Sequence, residues 1–135
     1  MKQKTFLFVM AALAVGASLF VAQPTAQAQA RMFGSVATAT ATAGAATLNN
    51  QTGVVTSEAL TTAAGANYTL TLTNSRVGTG ALVLASVANG TNTTVEPIIT
   101  RVTPGSGSVV IIVRNVHASA ALNGTIKIAY FVYNP

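Results

Sequence analysis

Alternating hydrophobic and polar positions along most of the chain predict β-strands. The clearest case is residues 67–73, where Tyr68, Leu70 and Leu72 face one way and three threonines face the other. This pattern predicts a strand with one buried and one wet face. Residues 125–133 alternate in the same way, but their second face carries two aromatic residues as well as Lys127. We therefore expect only the Lys127 position of that face to be exposed to solvent.

Four further segments have the composition of strands. Residues 53–62 form a weaker candidate, and residues 81–87 are hydrophobic on both faces, which predicts a central strand. Residues 95–102 contain Pro97, which lacks a ladder donor, so this strand is expected at a sheet edge or beginning near residue 98. Residues 108–116 include five consecutive branched residues, and we expect burial on both faces.

Glycine and asparagine separate these segments. Asn89-Gly90 predicts a tight turn, residues 103–107 predict a second turn, and Asn123-Gly124 gives a hairpin signal. No segment after residue 30 has helical periodicity. The sequence therefore predicts an all-β fold, a single antiparallel β-sandwich or jelly-roll-like domain.

The first thirty residues have the pattern of a secretory signal peptide. Lys2 and Lys4 precede an apolar run at residues 6–22, and small residues follow that suit cleavage after Ala28 or Ala30. An uncleaved membrane anchor is the alternative, but the run is at the short end of the roughly 17 to 25 residues that span a bilayer. We expect a secreted protein at the cell surface, outside the cell or in the periplasm, which meets a membrane only during export.

Residues 31–65 and 66–135 are expected to form one domain, with the first strands in the former and the main strands in the latter. Residues 35–43 alternate small apolar and hydroxyl side chains strictly. Such a segment fits an edge strand, a flexible tether, or a strand that pairs with a neighbouring subunit. The candidate assembly residues are Val36, Thr38, Ala39, Thr40, Ala41 and Thr42.

Few residues are available for chemistry. The 135 residues include no Cys and no Asp, and the only acids and histidine are Glu58, Glu96 and His117. These cannot supply the clustered ligands of zinc or calcium sites, nor the Asp of a serine triad. We therefore predict no metal, no cofactor and no enzymatic activity. Both glutamates are expected to be solvated charges, and His117 a surface or turn residue.

The basic charge does not predict nucleic-acid binding. Without Lys2 and Lys4 the net charge falls from +5 to +3, and the remaining cations are spread singly, so no specific nucleic-acid partner is expected. Glycan binding is an open alternative, because β-sandwiches present aromatic platforms. The candidate residues are Tyr68, Tyr130 and Tyr133, which fit core or C-terminal packing equally well.

The turn and strand sequences at residues 73–75, 89–92, 102–108 and 121–128 carry a resemblance. On these, residues 70–133 resemble a small β-sandwich module of bacteriophage and other virion-associated proteins and of exported bacterial proteins. The resemblance implies architecture rather than catalysis. The exported Ala/Thr/Gly-rich chain is also loosely similar to fimbrial subunits, which implies assembly through strands.

The sequence thus favours a non-enzymatic structural protein that associates with itself, as a homo-oligomer or as a subunit of a surface filament, appendage or extracellular matrix. A monomeric extracellular module that binds glycans or a surface protein is the alternative. A small exported enzyme using Glu58 or Glu96 is a third and less favoured hypothesis.

Overall fold

The computed structural model describes residues 36–135, which form eight β-strands. The strands are β1 (Ala37–Thr40), β2 (Ala45–Thr47), β3 (Thr52–Thr56), β4 (Asn67–Thr73), β5 (Leu82–Asn89), β6 (Pro97–Gly105), β7 (Ser108–Asn115) and β8 (Ile126–Tyr133). The predicted signal peptide and residues 31–35 lie outside the described part. Within residues 36–135, no helix is long and apolar enough to cross a membrane.

The strands form two four-stranded sheets that pack face to face. Sheet A has the order β1-β3-β8-β5, and Sheet B has the order β2-β4-β7-β6. Their inner faces share one hydrophobic core, to which Sheet A contributes Ile128 and Val132 and Sheet B contributes Leu70 and Ile111, all fully buried. The predicted β-sandwich is confirmed, since alternating large apolar residues give each sheet a face to bury.

The two sheets are linked at one side by the first two strands. β1 pairs in parallel with β3 of Sheet A, and β2 pairs in parallel with β4 of Sheet B. The chain crosses between the sheets at Ala43 and Gly44, whose φ angles are +50° and +73°. A Cβ on Gly44 would lie 2.6 Å from the carbonyl oxygen of Thr69, so a glycine is required at this crossing.

Several strand predictions are confirmed. β4 occupies 67–73, with Tyr68, Leu70 and Leu72 inward. β6 begins at Pro97 on an edge of Sheet B, as a proline requires. β7 is central, between β4 and β6, and its inner residues are fully buried. The expected burial on both faces is met only in part, because Val110 and Ile112 are half-buried and Arg114 is exposed.

The prediction of a central strand at residues 81–87 is wrong. β5 lies at the edge of Sheet A, where Leu82 and Leu84 face outward. The hairpin prediction at Asn123-Gly124 is also wrong, because β7 and β8 belong to different sheets, and Gly124 forms an isolated bridge with Leu60 instead. Asn89-Gly90 opens a loop that runs to Pro97 rather than a two-residue turn. The hydrophobic pattern identifies the strands themselves. Which strands lie side by side depends on pairing between residues that are distant in sequence.

Buried asparagines anchor the loops. The Asn115 amide nitrogen donates to the carbonyl oxygens of Thr62 (3.0 Å) and Ala120 (2.8 Å), and its oxygen accepts from the His117 backbone N–H (3.0 Å). Asn74 donates to the Asn50 carbonyl at 2.8 Å. Among residues 36–135 no buried side-chain polar atom lacks a partner. These amides replace the backbone bonds that irregular segments cannot make for themselves.

Candidate functional site

The outer face of Sheet A carries an exposed apolar patch. On β5, Val83 points into the core, so its neighbours Leu82 and Leu84 point outward and are 57% and 60% exposed. The register with β8 sets Leu82 beside Tyr133, which is 52% exposed, and Leu84 beside the half-buried Phe131. We call Leu82, Leu84, Phe131 and Tyr133 the apolar patch. It combines two aliphatic and two aromatic side chains on adjacent strands.

A shallow groove of about 310 Å³ runs over part of this patch. The residues that line it are Leu84, Ala85, Ser86, Ala129, Tyr130 and Phe131. None of them is ionisable at neutral pH, and Lys127 is the single charged residue on β8. The surface is therefore suited to an apolar or uncharged partner, since contiguous exposed apolar residues mark interaction sites.

The free edge of β5 borders the patch. Within residues 36–135, β5 pairs with β8 on one side and with no strand on the other, and β6 of Sheet B lies close to it across the sandwich. Its sequence, Leu-Val-Leu-Ala-Ser-Val-Ala-Asn, contains no charge and no proline. An extended, uncharged edge presents unpaired backbone N–H and C=O groups to a further strand.

The other three edge strands among the described residues are short or interrupted. β6 begins at Pro97, contains Pro104 and Arg101, and has a register shift between Ile99 and Arg101. β1 has four residues and β2 has three. Prolines, charges, bulges and short lengths are the features that keep edge strands from pairing with other chains. β5 is the one edge of the described sandwich that lacks all of them.

The candidate assembly strand lies at the opposite edge of Sheet A. Residues 37–40 form β1, which is ordered against β3 of the same chain, so the edge-strand interpretation is confirmed. Val36 precedes β1 and is 66% exposed, Thr38, Thr40 and Thr42 face solvent, Ala39 is half-buried and Ala41 is buried. A role of this segment in pairing with another subunit stays a prediction.

The three candidate tyrosines are not brought together. Tyr68 lies on the inner face of Sheet B and Tyr130 on the inner face of Sheet A, and both are buried. The Tyr130 hydroxyl lies within hydrogen-bond distance of the carbonyl oxygens of Leu48 (3.1 Å) and Asn50 (3.2 Å), and burial raises its pKa. Tyr133 alone is exposed, within the apolar patch. Packing explains the first two, so no platform of three rings is formed.

Glu58 is half-buried and is hydrogen-bonded through both carboxylate oxygens. Its Oε1 accepts the backbone N–H of Gly44 at 2.9 Å, and its Oε2 accepts the hydroxyl of Tyr68 at 3.0 Å. Burial raises the pKa of Tyr68 well above its ordinary value of 10.0, and the negative charge of Glu58 and this hydrogen bond raise it further. The expectation of a solvent-exposed Glu58 is wrong. The carboxylate fastens the crossing between the sheets to β4.

A cleft of about 440 Å³ lies among the loops at one end of the sandwich. The residues lining it are Asn89, Thr93, Thr94, Val95, Glu96, Val116 and His117. His117 is exposed in a loop, as predicted, and its Nδ1 accepts the backbone N–H groups of Ser119 (3.1 Å) and Ala120 (2.8 Å). These two hydrogen bonds stabilise the conformation of the loop.

The ionisable groups do not converge on one site. Glu96 is exposed and lines the cleft, whereas Glu58 contacts Gly44 and Tyr68. No group of three His, Cys, Asp or Glu residues in the described part is placed to hold a metal ion. The cleft offers amide, hydroxyl and carboxylate groups suited to binding a polar ligand.

Sequence reasoning missed the apolar patch, although its signal was present. The hydrophobicity of residues 81–87 on both faces predicts a central strand, whereas β5 lies at an edge. Periodicity alone cannot distinguish an edge strand whose outer face is apolar and exposed from a central strand that is buried on both faces.

No family model, curated protein or solved structure matches this chain.

Proposed function

We propose that this chain is a secreted, non-enzymatic structural protein that works by associating with itself, as a subunit of a surface filament, appendage or extracellular matrix. The signal pattern at residues 1–30 supports export. The observation that carries the proposal is the exposure of Leu82 and Leu84 on β5, beside a free strand edge. The likeness to fimbrial subunits and virion-associated modules is in keeping with this role.

The energetics favour association through this surface. Complete burial of a leucine side chain contributes about 1.5–3 kcal/mol, so covering the exposed part of Leu82 or Leu84 contributes about 1 kcal/mol each. Backbone hydrogen bonds along β5 would add to this, as in other cases of strand addition. An interface of this kind needs no ionisable group, which fits a chain with so few of them.

The test is the mass of the native protein across a concentration series, by light scattering with negative-stain microscopy of the same samples. We expect oligomers or filaments for the wild type, and their loss in Leu84→Lys, which places a charge in the patch. Thr69→Lys is the matched control, because Thr69 is exposed on the outer face of Sheet B. A wild-type chain that stays monomeric at all concentrations would contradict the proposal.

A monomeric module that binds glycans or a surface protein is the second candidate, and the loop cleft favours it. Asn89, Thr93, Thr94 and Glu96 offer hydroxyl, amide and carboxylate groups of the kind that bind sugar hydroxyls. The expected result is a set of glycan-induced NMR shifts confined to these loops and weakened by Thr93→Val. A glycan panel that shifts no cleft resonance would remove this candidate.

A further inference from the structure

The sequence of β5 is that of a central strand, yet it lies at the edge of Sheet A. Its inner side contributes Val83 and Val87 to the sandwich, while its outer side carries Leu82 and Leu84. Both faces are therefore apolar, and β5 carries none of the prolines or charges that protect edge strands from pairing. A further strand along the free edge would pair the open backbone groups of β5 and would place side chains of the second strand beside Leu82 and Leu84.

We propose that this further strand is β5 of a second copy, paired antiparallel about a two-fold axis near Ala85, so that two copies of Sheet A form one continuous eight-stranded sheet. This inference rests on the proposed function and names one contact through which association occurs. A two-fold contact closes on itself as a dimer, so a filament would join such dimers through a second surface. Isologous contacts of this kind use the same surface on both subunits. The antiparallel arrangement sets Leu82 of one copy opposite Ala88 of the other, and Leu84 opposite Ser86.

Charge favours a second copy in this orientation. β5 has no ionisable residue, and the charge nearest to it in Sheet A is Lys127, beside Ala88 at one end of the β5–β8 ladder. Antiparallel pairing separates the two Lys127 side chains by about 20 Å along the strands, well beyond the roughly 8 Å screening length at physiological salt. A parallel two-fold pairing would set both lysines at the same end of the shared sheet.

Length also favours β5 over other occupants. Seven of the eight residues of β5, Leu82 to Ala88, match a second β5 in this register, whereas β1 offers four residues. The chain preceding Val36 enters at β1, on the far edge of Sheet A and three strand spacings, or about 14 Å, away from β5. If cleavage follows Ala30, the five residues 31–35 span at most about 17 Å, too little to cross the sheet and also pair with β5.

The absence of cysteine from the chain permits a clean disulfide test of direction and register. Single cysteines are placed in the full chain at Leu82, Leu84, Ser86 and Ala88, all exposed, and at Thr69 on Sheet B as the control. A disulfide requires Cα atoms within about 7 Å. Each variant alone places its two cysteines diagonally across the pair, about 8 Å apart, whereas Leu84 and Ser86 lie directly opposite each other. We therefore expect an equimolar mixture of Leu84→Cys and Ser86→Cys to form the mixed covalent dimer on mild oxidation, at least tenfold more than a mixture of Leu84→Cys with Thr69→Cys.

The end positions decide the orientation. Leu82→Cys and Ala88→Cys, each alone, should remain monomeric under non-reducing electrophoresis, and an equimolar mixture of the two should form the mixed dimer. Cross-linking of Leu82→Cys to itself would overturn the antiparallel arrangement. Circular dichroism of each reduced variant checks that the sandwich is folded.

Thr38→Cys on β1 separates this inference from the proposed function. Covalent dimers through Thr38, with none through β5, would overturn the β5 pairing while leaving self-association in place. A wild type that is monomeric at every concentration, with no cross-linking of any variant above the Thr69 control, would overturn both.

Discussion

The Tyr68 hydroxyl donates a hydrogen bond to the Glu58 carboxylate at 3.0 Å, and the other oxygen of the same carboxylate accepts the Gly44 backbone N–H at 2.9 Å. One carboxylate therefore fastens β4 to the crossing between β1 and β2. The tyrosine has to stay protonated for this to hold, and its burial next to a negative charge favours the protonated form.

We expect this pair to make the free energy of unfolding depend on pH in the alkaline range. The folded-state pKa of Tyr68 lies above the unfolded value near 10, so its contribution to stability is complete below pH 10 and is lost as the pH rises above it. Urea unfolding at several pH values measures this slope. Tyr68→Phe should reduce it. An unchanged slope in Tyr68→Phe would show that other groups cause the alkaline loss.

Gly44→Ala should destabilise the fold more than Gly65→Ala. Both glycines have a φ of +73°, which costs an L-residue about 1–2 kcal/mol. A Cβ at Gly65 meets no atom within 4 Å, whereas at Gly44 it would lie 2.6 Å from the Thr69 carbonyl oxygen. We expect Gly44→Ala to cost a further ~1–3 kcal/mol through this clash, measured by urea unfolding. Equal effects would mean that the crossing shifts freely away from β4.

Asn115→Ala should destabilise the protein by at least about 2 kcal/mol. The change removes both donors to the Thr62 and Ala120 carbonyl oxygens and the acceptor for the His117 N–H, and leaves backbone groups without partners. Asn67→Ala is the control, because Asn67 is exposed, and we expect a change within about 0.5 kcal/mol. Thermal unfolding of the two variants gives the comparison. A mild effect at Asn115 would indicate that water replaces the amide.

The fold was predictable from sequence where local pattern and burial agree. β4 alternates between Leu or Tyr and Thr, and one face is buried, so its bounds and its inner face follow from period two. β5 shows the opposite case. Its two apolar faces do not reveal which strand lies beside it, because that depends on the order of strands distant in sequence.

The candidate site could be predicted only in part for the same reason. The aromatic face that includes Phe131 and Tyr133 is visible from the alternation of β8, but its exposure depends on β5 being an edge strand. The hydrogen bonds of Glu58 join residues 14 and 10 positions away, across a change of sheet. No spacing rule links those positions.

Two leucine-to-alanine changes should separate core from patch. Leu70 is fully buried and Leu84 is 60% exposed, so in dilute, monomeric samples we expect Leu70→Ala to cost about 2–5 kcal/mol and Leu84→Ala less than about 0.5 kcal/mol. If association covers Leu84, the cost of Leu84→Ala grows with protein concentration, because an assembly that forms only from folded chains adds to apparent stability. The cost of Leu70→Ala includes a cavity within each subunit and should change much less. Thermal unfolding over a hundredfold range of concentration measures both. If Leu84→Ala instead destabilises the protein strongly at the lowest concentration, and by the same amount at the highest, Leu84 is covered within the single chain.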